Sequence, residues 1–126
     1  MIIKNYTPHN IVVYNEQDTY EDKGRYILKD NVEPREIIKS TGIATVEFKN
    51  DTEIVNKENQ IYLPTPIDCI KGLPEEVSED TYFIVPAMVG ANVKGTIYEN
   101  HCLVIRHGVK KELSGPVIGC TSFTLY

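Results

Sequence analysis

Residues Thr81–Gly95 read TYFIVPAMVGANVKG, and the fold turns on how this stretch is read. Tyr82-Phe83-Ile84-Val85 is an aromatic and β-branched run, the composition of a buried strand. Pro86 then fixes φ and brings no N–H, which suits the first position of a helix. Pro86–Lys94 holds no turn pair and is expected to make about two to three helical turns. Ala87, Gly90 and Ala91 fall at i, i+3 and i+4, a flat stripe of small residues; Val89 and Val93 form a second stripe, Met88 and Asn92 a third. A glycine inside a helix costs about 1 kcal/mol relative to alanine. A close-fitting neighbour at Gly90 is expected to offset that cost. Two readings stand side by side: ordinary packing of a helix on a sheet, or a contact with a second copy of the chain that walls a ligand pocket.

Outward from this segment the chain reads as short strands and turns. Ile2-Ile3-Lys4 and Ile11-Val12-Val13-Tyr14 are strands flanking the oxygen-rich turn Asn5–Asn10. The polar, acidic stretch Asn15–Gly24 is an exposed loop or a ragged hairpin, and Tyr26-Ile27-Leu28 an edge strand. In Ala44–Lys49, Ala44, Val46 and Phe48 alternate with Thr45, Glu47 and Lys49, the pattern of a strand with one dry and one wet face. Asn50-Asp51 marks a turn, and Gln60–Leu63 is a strand stopped by Pro64 and Pro66. Ile67–Leu73 is a further apolar run, and Glu75–Asp80 an acidic loop. Beyond the helix, Tyr98–His101 is a turn, Cys102–Arg106 a strand and His107-Gly108 another turn. Val109–Leu113 and Pro116–Tyr126 form a hairpin around Ser114-Gly115. The expectation is a single domain over residues 1–126, α+β and mainly β, with a small barrel or sheet core of about eight to ten short strands and one short helix.

The totals bound the function classes. At 126 residues the chain buries roughly two-thirds of its unfolded surface and needs neither disulfide nor metal to hold a core. A formal net charge of −5 argues against a nucleic-acid polymer as partner, since such binding pairs many phosphates with Lys and Arg. The N-terminal MIIKNYTPHN lacks an apolar leader and no run approaches a membrane span, so a cytoplasmic chain is expected. Cys69, Cys102 and Cys120 read as small buried hydrophobes, with no CxxC for a zinc site.

Motifs for catalysis are missing. His9, His101 and His107 show neither HxH nor HExxH spacing, no phosphate loop follows a strand, GANVKG is not a dinucleotide fingerprint, and GxSxG does not occur. No catalytic residue, metal or cofactor is expected, and the chain is read as a binder, not an enzyme. Its binding inventory is Tyr82 and Phe83 as flat faces for stacking, Asn92 as a donor and acceptor, and Arg106 with Lys110 and Lys111 for an anion. Tyr82 and Phe83 point to opposite sides of one strand, so one of the two belongs to the core.

Asn5-Tyr6-Thr7-Pro8-His9-Asn10-Ile11-Val12-Val13-Tyr14, then Gly72-Leu73-Pro74-Glu75, Tyr82-Phe83-Ile84-Val85 and Val117-Ile118-Gly119-Cys120, follow an order that spans nearly the whole chain. With this N-x-T-P-H opening the sequence resembles the phage Thoeris anti-defence family of sponge proteins. The resemblance implies a β-rich core, a homodimer or higher homo-oligomer with pockets at the subunit contact, and a location in the infected bacterial cell. It also implies a function: holding a cyclic ADP-ribose-type signal without cleaving it, so that a bacterial immune effector stays silent. Relatives with this opening carry an Arg-Asp pair before the final turn, where this chain has Lys111-Glu112. The charge is kept and the bidentate fork is lost, which leaves Arg106 as the substitute. For such a ligand Tyr82 or Phe83 would stack on adenine, Asn92 would meet a ribose hydroxyl, and Arg106 and Lys111 would face phosphate. The alternative is a small β-rich structural or protein-interaction module of phage origin with no small-molecule ligand.

Overall fold

The computed structural model describes residues 1–48, 54–62 and 67–126. In chain order its elements are β1 (Ile2–Asn5), β2 (Ile11–Val13), a 3-10 turn (Glu16–Asp18), β3 (Thr19–Asp22), β4 (Arg25–Leu28), β5 (Glu36–Ile38) and β6 (Thr45–Phe48). There follow β7 (Ile54–Asn56), β8 (Ile61–Tyr62), β9 (Ile67–Lys71), β10 (Thr81–Ile84), α1 (Ala87–Gly90), β11 (Cys102–Lys110) and β12 (Val117–Leu125). The architecture is mainly β with one short helix. The Asn50-Asp51 turn and the Pro64 and Pro66 stops lie outside the described residues.

One sheet carries the molecule, in the order β1-β10-β11-β12-β2-β5, with β4 added alongside β11 and β3 paired to β4. β1, β10 and β11 run parallel, β11 and β12 form a long antiparallel hairpin, and β12 meets β2 in parallel at Cys120 and Val13. The two ends of this path come together where Asn5 of β1 bridges Ser40, just past β5. The sheet is thereby a nearly closed barrel. Asn5 is fully buried at that seam, and its side chain ties it together. Nδ2 donates to the carbonyls of His9 (2.8 Å) and Ile38 (2.9 Å), while Oδ1 accepts from Thr7 N (2.9 Å) and Thr7 Oγ1 (2.7 Å). A buried amide costs stability unless it is bonded, and this one is bonded on both sides.

Strand alternation sorts the core into two sets. On β10, Phe83 points with Val85 toward α1, where Tyr6, Ala44, Val89, Val93, Cys102 and Val104 complete one cluster. Ile84 points the other way, and with Val13, Val109 and Cys120 it is buried on the opposite side. Phe83 sits between two aromatic neighbours, with the Tyr6 ring at 5.4 Å and the Tyr98 ring at 6.4 Å, both edge-on.

Two local expectations are corrected and an open one is resolved. The helix is one turn, not two to three. Beyond Gly90 side chains capture the backbone: Asn92 Nδ2 donates to Met88 O (2.7 Å) and Thr96 Oγ1 to Val93 O (2.6 Å), bonds that compete with helix propagation. His107-Gly108 is not a turn between strands. His107 takes a left-handed φ of 55°, yet β11 stays in the sheet on both sides of it. β4 holds the second half, pairing Tyr26 with Val109, and the Tyr26 ring lies 4.6 Å from the imidazole. Asn15–Gly24 resolves as the hairpin option, with β3 and β4 in register from Thr19↔Leu28 to Asp22↔Arg25.

Candidate functional site

The five residues expected to bind a ligand are not brought together. Phe83 is 1% exposed at the centre of the aromatic cluster, so it is corrected to a core residue with no face left for stacking. Tyr82 is the member of the pair that points away from that cluster, half-buried, 6.0 Å from the His101 ring. Asn92 spends its Nδ2 on the Met88 carbonyl. Arg106 is exposed in the middle of β11, opposite Ser122. Lys111 is exposed just past the end of β11. None of the five lines any of the three clefts described below.

The Ala/Gly stripe is likewise placed. A Cβ at Gly90 would lie 2.5 Å from Val104 Cγ2 and 3.2 Å from the Tyr126 ring, so the residue's own sheet and the end of β12 press on it. The close-fitting neighbour is the chain itself, which is the helix-on-sheet reading. Ala87, Met88 and Ala91 remain exposed.

That close approach leaves a hollow of about 280 Å³ beside the helix. Its floor is Gly90, Ala91 and Val93, and Lys94, Glu99, Asn100 and Tyr126 complete the lining. The walls are fixed locally. Asn100 takes a left-handed φ of 68° and its N–H donates to Tyr126 O (2.7 Å), which binds the loop to the end of β12. Tyr126 N in turn donates to Cys102 O (2.8 Å). Glu99 Oε2 accepts the Gly95 N–H at 3.3 Å, so one carboxylate oxygen is anchored and the other is unspent. The hollow thus combines a small-residue floor, a partly exposed phenol ring, an ammonium, a carboxylate and an amide. No family model, curated protein or solved structure matches this chain.

Nucleophile and base chemistry is not assembled among the described residues. The Cys102 and Cys120 thiols are fully buried, and burial pushes each up to about 11, so both stay protonated and inert at neutral pH. Cys69 is half-buried on β9, where its Sγ donates to Glu47 Oε2 at 3.1 Å. Lys71 Nζ reaches the same oxygen at 3.6 Å. The Cys69 bond, then the Lys71 charge, hold the Glu47 carboxyl below its ordinary value. His101 Nδ1 meets the Thr81 carbonyl at 2.9 Å and His107 stacks on Tyr26; neither partner is a carboxylate. No group of three or more His, Cys, Asp or Glu among the described residues is placed to hold a metal ion, and none of the described helices is long and apolar enough to cross a membrane.

Lys94, Glu99, Asn100 and Tyr126 went unnoticed in the sequence because no spacing joins them. Tyr98 is packed edge-on against Phe83 with its hydroxyl donating to Pro74 O (2.8 Å).

Proposed function

We propose that this chain binds a small nucleotide-type anion and holds it unchanged, acting as a sponge for a cyclic ADP-ribose-type signal in the cytoplasm of an infected bacterium. The observation that carries the reading is the hollow beside α1, where Tyr126 offers a ring to a base and Lys94 an ammonium to a phosphate. Asn100 and the unspent oxygen of Glu99 suit ribose hydroxyls. The order of motifs from Asn5 to Cys120 supports the same family. At about 280 Å³ the hollow is smaller than sites for drug-sized ligands, roughly 300–1,000 Å³, so it takes one nucleoside end of such a molecule. A second copy meeting the exposed Ala87, Met88 and Ala91 would enclose the remainder, and their exposure supports a homo-oligomer contact along residues 86–94. A preformed pocket lowers the ordering cost of capture.

Isothermal titration with cyclic ADP-ribose isomers tests this, followed by heat release and mass analysis of what comes off. Micromolar binding, recovery of the intact ring and a loss of about tenfold or more in Tyr126→Ala and Lys94→Glu are expected. An opened product, or variants that bind as the parent does, would refute it. One observation favours the alternative of a protein-interaction module. A separate apolar cleft of about 310 Å³ is lined by Pro8, Ile43, Val46, Pro86 and Met88, with Ile43 and Met88 more than half exposed.

A further inference from the structure

A third cleft, of about 250 Å³, shares no residue with the hollow beside the helix. Its apolar walls include Ile11, Ile105, Val117 and Ile118, and its polar side chains are His9 and Asn10. No acidic side chain among the described residues lines it.

The loop that delivers His9 and Asn10 is braced from beneath. The His9 carbonyl accepts from Asn5 Nδ2 (2.8 Å), and Thr7 Oγ1 lies within reach of both this carbonyl (2.9 Å) and Asn5 Oδ1 (2.7 Å), its one proton shared between them. Ser40 Oγ donates to the Thr7 carbonyl (2.7 Å), and Ser40 N–H donates to Asn10 Oδ1 (3.0 Å). That last bond settles which end of the Asn10 amide is which, because a backbone N–H only donates. The amide's oxygen is therefore engaged and its Nδ2 has no partner among the described residues; the His9 ring has none either. What the loop offers a visitor is donor capacity in front of aliphatic walls. The complementary molecule has an acceptor head and an apolar body.

We infer that this cleft is a binding site for a small organic acid, its carboxylate on Asn10 Nδ2 and the His9 ring, its branched-aliphatic or phenyl body against Ile105, Val117 and Ile118. The site stands apart from the nucleotide reading and does not depend on it. Its specificity comes from which groups the loop's own bonds have already used: a cationic head of the same shape finds no free carboxylate here.

The test is a titration of the ¹⁵N-labelled 126-residue chain with 3-phenylpropanoate, and separately with 3-phenylpropylamine, followed by NMR. The acid is expected to shift the Asn10 side-chain NH₂ and the Gly119 amide and to saturate at millimolar concentration, with the amine about tenfold weaker or worse. Asn10→Asp keeps an oxygen for Ser40 N–H, so the brace survives, while it removes the donor. It is expected to weaken the acid about tenfold or more and to abolish the preference for acid over amine. Ile105→Gln, at a position 41% exposed, is expected to weaken both probes. Equal binding of acid and amine, shifts centred elsewhere, no saturation by the acid, or an Asn10→Asp variant that binds the acid unchanged would each overturn the inference.

Discussion

Replacing Asn5 by alanine removes the four side-chain hydrogen bonds that tie β1, the Thr7–His9 loop and the end of β5 together. Each such bond contributes about 0.5–1.5 kcal/mol net, which sums to about 2–6 kcal/mol. The lower half of that range applies, because the Thr7 hydroxyl, released from Asn5 Oδ1, gives its proton to the His9 carbonyl and water reaches the exposed side of the loop. A loss of about 3 kcal/mol is expected, read as a lower midpoint in urea unfolding with an unchanged slope. Ser40→Ala, which deletes one exposed bond to the Thr7 carbonyl, is the control and should cost less than about 1 kcal/mol. Asn5→Asp separates the two halves of the network. It keeps the acceptor for Thr7 and sets a carboxylate oxygen against the His9 and Ile38 carbonyls, so its folded-state pKa lies above the unfolded value of about 3.9. Stability of that variant is then fully present below the unfolded pKa and lost as pH rises through the folded one. If Asn5→Ala lost under about 1 kcal/mol, or Asn5→Asp showed no such acid-side recovery, the reasoning about the seam would be wrong.

Two further outcomes follow from other positions. Gly72 has a φ of +91°, and a Cβ there would collide with the Ile43 backbone carbonyl, so Gly72→Ala should cost about 2–4 kcal/mol by the same urea assay, while Gly24→Ala, with φ +77° but open space around it, should cost less. Burial raises the Cys102 and Cys120 thiols from 9.0 to about 11, so their neutral forms are favoured in the folded chain. The stability they contribute is intact below pH 9 and drains between about 9 and 11, on the order of 2–3 kcal/mol per thiol, and Cys120→Ala should flatten that alkaline loss.

Much of the scaffold was legible because its signals are local. Pro86 marks the entry to α1, the Tyr82–Val85 run lies on and just past β10, and Ala44 and Val46 alternate as the pattern requires, Ala44 fully buried. The extent of α1 was not legible. Periodicity counts apolar positions and is blind to Asn92 and Thr96 turning back on the backbone. His107 was misread because a left-handed residue beside glycine looks like a turn unless the partner strand β4 is known. The clefts were the least legible. Tyr126 meets Lys94 and Asn100 only through the end of β12, and Asn10 meets Ile105 and Val117 only because β2 lies beside β12, which pairs with β11, relations between distant segments that no window of sequence contains. Phe83 shows the converse: its aromatic character suggested a ligand, and its place in the alternation gave it to the core.

The pairing of β1 with β10 has a kinetic consequence. Ile2 lies against Thr81, and Phe83 against Cys102, in parallel register, so apart from the single bridge from Asn5 to Ser40 the first strand gains its ladder only when a segment roughly eighty residues downstream arrives. Most of the opening strand waits for its ladder through much of synthesis, while the β11–β12 hairpin is the first local structure capable of receiving β10 and then β1. Assembly of this barrel should therefore run from its carboxyl half backwards, on the slow millisecond-to-second side of small-domain folding.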